Sequence, residues 1–230
     1  MRLDLICAGA AKAVIEGLAE RFRAEHGATI AGTFGAVGAM QERLTAGAPC
    51  DVVVLTDTLI GELARSGQVR EATIREIGRV HTGIAIRAGD AMPDITTEHD
   101  LARALDAATS VFVPDTERST AGRHFMTVLK RLDLGDVVPR IRSFPNGATA
   151  MAALASATDE YPIGCTQVTE IRYTDGVTLV GALPKRLELA TMYAAAVCER
   201  TSNAELAAQF VELLTRADAR SLRDSGGFTP

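Results

Sequence analysis

Five side chains stand where an anion would be held or a proton moved. Arg118, in a polar loop before a predicted helix, can pair bidentately with a carboxylate or remain a solvated loop charge. His124, a few residues into that helix, titrates near neutrality and is the best proton-transfer candidate. A hydrogen-bonded structural histidine is the alternative there. Lys12 falls in the first turn of another predicted helix, where a cation opposes the helix dipole at a cost of a few tenths of a kcal/mol. A bound anion would offset that cost. Glu170 follows Gln167 and Thr169 after a predicted strand; it repels a carboxylate unless it is the base, and otherwise caps or pairs. Gln167 can donate to a carboxylate. An anion clamp with one base and one acid is what a proton shift across a double bond requires.

The segment VFVPDTERSTAGRHFMTVLKRL, residues 111–132, places Arg118 and His124 and organises the chain around them. Val111, Phe112 and Val113 form an apolar run that Pro114 stops, since proline has no N–H to give a sheet ladder. Ser119 or Thr120 then caps a helix in which Phe125, Val128, Leu129 and Leu132 recur at helical spacing. Thr120, Ala121 and Gly122 therefore sit where backbone N–H groups lack partners and the dipole is positive, which suits an anion. An ordinary capped helix has the same pattern. Pro145-Asn146-Gly147 is a turn, and Ala148 opens a small-residue helix whose N-terminus faces the same strand ends.

Ahead of this segment the chain reads β-α-β-α-β, with strands at 3–8, 29–34 and 51–55, a pattern that favours a parallel sheet with helices on its faces. Loops at the strand ends, Ala8 to Ala11, Gly35 to Ala39 and Thr56 to Thr58, are small and backbone-rich, and ligands of open α/β sheets bind at that end. Gly78 to Arg87 is long enough to run from one lobe to another, and Val177 to Leu183 is a candidate for the return.

With 47% hydrophobic and 23% charged residues in 230, the chain is expected to be a soluble globular protein of one large or two small domains. The net charge of −5 and the absence of Trp argue against nucleic acid as a partner. No membrane span is expected, because no run of about 18 apolar residues occurs. Cys7, Cys50, Cys165 and Cys198 match no metal spacing and read as reduced, buried small hydrophobes. No dinucleotide, phosphate-loop or zinc motif is present, and neither metal nor cofactor is expected. Met1 to Ile6 runs straight into a strand without the apolar core of a signal peptide, so the chain as written is expected in the cytoplasm, or in the periplasm if a leader was removed.

The order AGAAKAVIEGLAERFRAEHG, FGAVGAMQERLTAGAPCDVVVLTD, PDTERSTAGRHF, IGCTQVTEI and a closing GGF resembles the molybdate-binding-protein-like group of type II periplasmic binding proteins, over nearly the whole chain. The resemblance implies an α/β fold of two lobes, 1–80 plus 185–230 and 81–184, each a mostly parallel sheet flanked by helices, joined by two hinge strands and closing on a small ligand. It places the oxyanion contacts at Ala10, at Val37 and Gly38, at Ala121, at Gly147 or Ala148, and at Gln167; Ala11, Lys12, Arg118 and Thr120 are further ligand-binding candidates from the residues themselves. Molybdate binders resembling this chain offer Ser hydroxyls in the first two loops and a Tyr at the position of Gln167; Ala10, Ala36-Val37-Gly38 and Gln167 depart from that pattern. PDTERSTAGRHF, FPNGATAM and IGCTQVTEI resemble the aconitate-isomerase-like branch of the group. Two functions follow as expectations. One is a monomeric binding protein that passes a small carboxylate or oxyanion to an ABC transporter permease. The other is an isomerase that shifts a double bond in a tricarboxylate, with His124, Lys12 and Glu170 as its proton-transfer groups.

Overall fold

The computed structural model describes residues 1–230 and resolves the chain into two compact units, Met1–Val80 with Thr191–Pro230, and His81–Ala190. In the first unit the apolar runs become strands β1 (Arg2–Ala8), β2 (Thr29–Gly35) and β3 (Val52–Thr56). β1 pairs with both β2 and β3 in parallel. Each strand is followed directly by a helix: α1 (Lys12–His26), α2 (Val37–Thr45) and α3 (Asp57–Arg65). Two parallel neighbours require crossovers, and the helices supply them. Gly27 ends α1 in the left-handed region at φ 65°. Behind the sheet, Phe22 of α1 meets Phe210 of α8 (Ala204–Thr215) edge-on, with centroids 5.0 Å apart. The carboxylate of Asp51 locks the start of β3: its Oδ2 accepts from the Asp4 N–H at 2.8 Å, and its Oδ1 from the Thr201 hydroxyl and the Asn203 amide.

The chain enters the second unit within β4 (Arg75–Arg87) and leaves it at the start of β9 (Ala190–Val197). There β5 (Ser110–Pro114) pairs in parallel with β6 (Ile141–Phe144) and β7 (Pro162–Gln167), and β4 lies antiparallel to β7. Helices α4 (Glu98–Ala107), α5 (Thr120–Arg131), α6 (Gly147–Ala155) and α7 (Val168–Arg172) complete it. Side chains alternate across the sheet. Val111, Val113, Ile163, Cys165, Ile84 and Ile86 share a core with Leu101, Leu105, Phe125, Val128 and Leu129 of α4 and α5. Phe112 and Ala85 face the other way, onto Ala150, Met151 and Leu154 of α6 and Ile171 of α7.

Three expectations are corrected. The segment 177–183 does not return to the first unit; as β8 (Val177–Ala182) it pairs antiparallel with β4, Gly83 opposite Ala182 and Arg87 opposite Val177. Its half-buried residues suit an edge, whereas the buried run of β9 makes the return and pairs with β3. Val37 and Gly38 are not turn residues but the first turn of α2, because extended Ala36 already serves as its N-cap. The cysteines are free as expected, yet Cys50 is only partly buried and its Sγ lies 3.2 Å from that of Cys198.

Gly122 in the first turn of α5 has no room for a side chain: a Cβ there would press on the Pro114 and Asp115 carbonyls. Gly122→Ala should therefore destabilise the protein by about 1–3 kcal/mol in urea unfolding. Gly61→Ala, in α3 with its nearest neighbour 3.9 Å away, should instead stabilise by up to about 1 kcal/mol.

Candidate functional site

In the second unit β6, β5 and β7 run in one direction, so the helices that follow them begin at one edge of the sheet. α5 starts after the loop 115–119. Asp115 shapes that loop by accepting from the N–H groups of Glu117 and Arg118, both at 2.8 Å, which together hold its carboxyl below the usual range. Ser119 caps the helix, its Oγ accepting from the Gly122 N–H. Thr120 and Ala121 are thus the first helical residues, with N–H groups that no earlier turn can satisfy. Ala121 is fully buried, and the Thr120 Oγ1 is buried with no hydrogen-bond partner.

Gln167 ends β7 at this same edge. It is 3% exposed, and neither end of its side-chain amide has a partner. Strand alternation puts it on the face of Ile163 and Cys165, the face that α5 covers. Thr82 of β4 is paired directly opposite Gln167, so both side chains rise from the same face. The Thr82 hydroxyl is buried and also lacks a partner, as does that of Thr169 in the first turn of α7. Buried polar groups are nearly always hydrogen-bonded, so Thr120, Gln167, Thr82 and Thr169 at this edge call for an explanation. Thr82 is absent from the residues the sequence singled out. The only signal was a hydroxyl inside the otherwise apolar latter half of β4.

Glu170 solves the same problem at α6 from within the chain. Its carboxylate is buried, accepts from the Thr166 hydroxyl at 2.6 Å, and receives the backbone N–H groups of Gly147, Ala148 and Gln167. Gly147 has to be glycine, because a Cβ there would overlap the Glu170 carboxylate and the Thr166 hydroxyl. Gly147 and Ala148 therefore bind the chain's own carboxylate. Burial pushes the Glu170 carboxyl above its ordinary value, against the donors that pull it down. The capping box of Asn146 and Thr149 completes this helix start.

His124 is half-buried, and its Nε2 lies 2.7 Å from the Leu187 carbonyl oxygen, so the ring is tied to the second unit's own backbone. Arg118 is exposed at the loop. His81 pairs with Glu188 at 2.5 Å. In the first unit Ala10 and Ala11 are buried in a short 3-10 turn between β1 and α1. Lys12 opens α1 with its Nζ 3.9 Å from Glu16, and Val37 and Gly38 open α2. These residues gather at the carboxyl edge of β1 and β2, the equivalent edge of their own sheet. No group of three or more His, Cys, Asp or Glu side chains is placed to hold a metal ion, and no helix is long and apolar enough to cross a membrane.

A family model described as bacterial extracellular solute-binding protein matches residues 3–229. Among curated proteins, an aconitate isomerase from Pseudomonas sp is 28% identical over 191 residues, 82% of this chain and 71% of that one. Among solved structures, the periplasmic molybdate-binding protein of Azotobacter vinelandii superposes with a TM-score of 0.82 at 17% identity, covering 99% of both chains. The sulfate-binding protein SubI of Mycobacterium tuberculosis H37Rv gives 0.78 at 16% identity, covering 100% of this chain and 87% of that one. At such identities the two structures speak for the fold alone, which is that of the molybdate-binding-like periplasmic binding proteins.

The raised Glu170 carboxyl has a consequence for stability. Between the ordinary carboxyl value of 4.5 and its higher folded value, the folded protein holds a proton that the unfolded chain releases. Stability from this group is complete below 4.5 and is lost as pH rises through the folded value. Urea midpoints at stepped pH should therefore fall more steeply upward of 4.5 in the wild type than in Glu170→Gln. Parallel pH profiles would contradict the assignment.

Proposed function

We propose that this chain, a member of the bacterial extracellular solute-binding protein family, binds a small carboxylate or oxyanion and delivers it to an ABC-type transporter. The observation that carries the reading is Gln167: a buried amide with both ends unpartnered, at the edge and on the face where α5 begins. The buried unpartnered groups at that edge are neutral. Thr120, Thr82 and Thr169 offer hydroxyls, and Thr120 and Ala121 offer backbone N–H groups backed by the helix dipole. Such donors hold an anion without a buried counter-ion, and they release it more readily than a bidentate arginine would. Release is what delivery requires. Lys12, Ala10, Ala11, Val37 and Gly38, at the carboxyl edge of the first unit's own sheet, are proposed as that unit's anion contacts, and Arg118 as the margin of the α5 start.

A second reading rests on the aconitate isomerase relative. An isomerase of that kind needs a base and an acid at the ligand. Glu170, whose carboxyl holds its proton more firmly than usual, is the candidate from the second unit, with Lys12 and His124 as the further proton-transfer groups. His124 would first have to leave the Leu187 carbonyl.

Thr120→Val keeps the shape of the helix start and removes one donor. It should weaken anion binding by about 1–3 kcal/mol in isothermal titration, while His124→Asn leaves affinity unchanged. Equal affinity in Thr120→Val would remove the α5 start from the site. Proton NMR of the protein with trans-aconitate in heavy water separates the two readings. A binding protein leaves the spectrum unchanged. Appearance of cis-aconitate or loss of a proton signal to deuterium establishes the isomerase.

A further inference from the structure

From the unpartnered amide of Gln167 we infer that the ligand is a carboxylate that also carries its own hydrogen-bond donor, a hydroxyl or an ammonium, and is not a bare oxyanion or an unsubstituted acid. The inference rests on the anion-binding reading above and narrows the class of ligand. A glutamine side chain has one acceptor end and one donor end, whichever way the amide is turned. In Gln167 both ends are buried, and neither meets a partner within the protein. The hydroxyls of Thr82, Thr120 and Thr169 are equally unpartnered, so none of them hydrogen-bonds the amide. The Glu170 carboxylate is already occupied by Thr166 and three backbone N–H groups and is an acceptor besides.

An anion's oxygens can receive from the amide nitrogen, from the threonine hydroxyls and from the start of α5. They cannot satisfy the amide oxygen. Molybdate and sulfate, fully deprotonated at neutral pH, present acceptors only. The same is true of succinate and of aconitate as carboxylates. Each would leave a buried acceptor stranded, and sites built to bond a ligand O–H or N–H reject analogues that lack it. A carbon bearing a hydroxyl or ammonium near the carboxylate meets both ends of the amide at once. The geometry thus selects by the donor as well as by the charge.

Isothermal titration of the whole protein with matched series tests this: succinate, malate and aspartate on one skeleton, tricarballylate and citrate on another, with molybdate, sulfate and inorganic phosphate alongside. The expected result is that a donor-bearing member binds at least about tenfold more tightly than its unsubstituted partner. Gln167→Met, which fills the space without hydrogen-bonding, should bring the two within about twofold while the circular dichroism spectrum stays native. Unsubstituted acids or bare oxyanions that bind as tightly as the donor-bearing acids overturn the inference and leave anion binding standing. So does phosphate binding more tightly than every carboxylate, or a preference that survives Gln167→Met. Absence of binding by every anion in the panel overturns the anion-binding reading, and this inference with it.

Discussion

A helix cannot satisfy the N–H groups of its own first turn, and a parallel sheet lines up several such turns along one edge. The second unit depends on how that constraint is met. At α6 the chain itself supplies the acceptor: the Glu170 carboxyl receives the N–H groups of Gly147 and Ala148, braced by Thr166. At α5 the chain supplies only the Ser119 cap and leaves the Thr120 hydroxyl unpartnered, and Gln167 and Thr82 rise from the face of the sheet that α5 covers. One helix start is complete, and the other is the one we propose a ligand completes.

This division bears on specificity. A second open helix start would favour a compact tetrahedral oxyanion held from several sides. Filling that start with Glu170 uses the Gly147 and Ala148 N–H groups within the chain, so they are not offered to a ligand. The unpartnered groups Gln167, Thr82, Thr120 and Thr169 are uncharged, and the amide oxygen of Gln167 can only accept a hydrogen bond. The arrangement suits a ligand of modest charge with a mixed hydrogen-bonding surface. It also explains the absence of side-chain bulk at Gly147 and Gly122, where Cβ atoms would strike the groups that build the two helix starts.

Much of the fold was legible because parallel strands are apolar runs of recognisable length, as at Val52 to Leu55 and Val111 to Val113. The start of α5 was legible for a similar reason, since Ser119 and the spacing of Phe125, Val128 and Leu129 are local signals. What was hidden is long-range. Nothing near Glu170 announces that it will reach Gly147, and nothing near His124 announces the Leu187 carbonyl. β8 looked like a return strand because its composition fits one, but only the ladder with β4 decides where it goes. Thr82 escaped notice because its meaning comes from the residue across the strand, Gln167.

The central claim is that the α5 start receives the ligand while the α6 start is already filled. Titrating malate into nitrogen-15-labelled protein and following individual amide resonances tests it most directly. Shifts at the Thr120 and Ala121 amides and the Gln167 side-chain NH₂, with Gly147 and Ala148 unmoved, are the predicted result. Large shifts at Gly147 and Ala148 with Gln167 unmoved would mean that the ligand displaces Glu170, and would contradict the account.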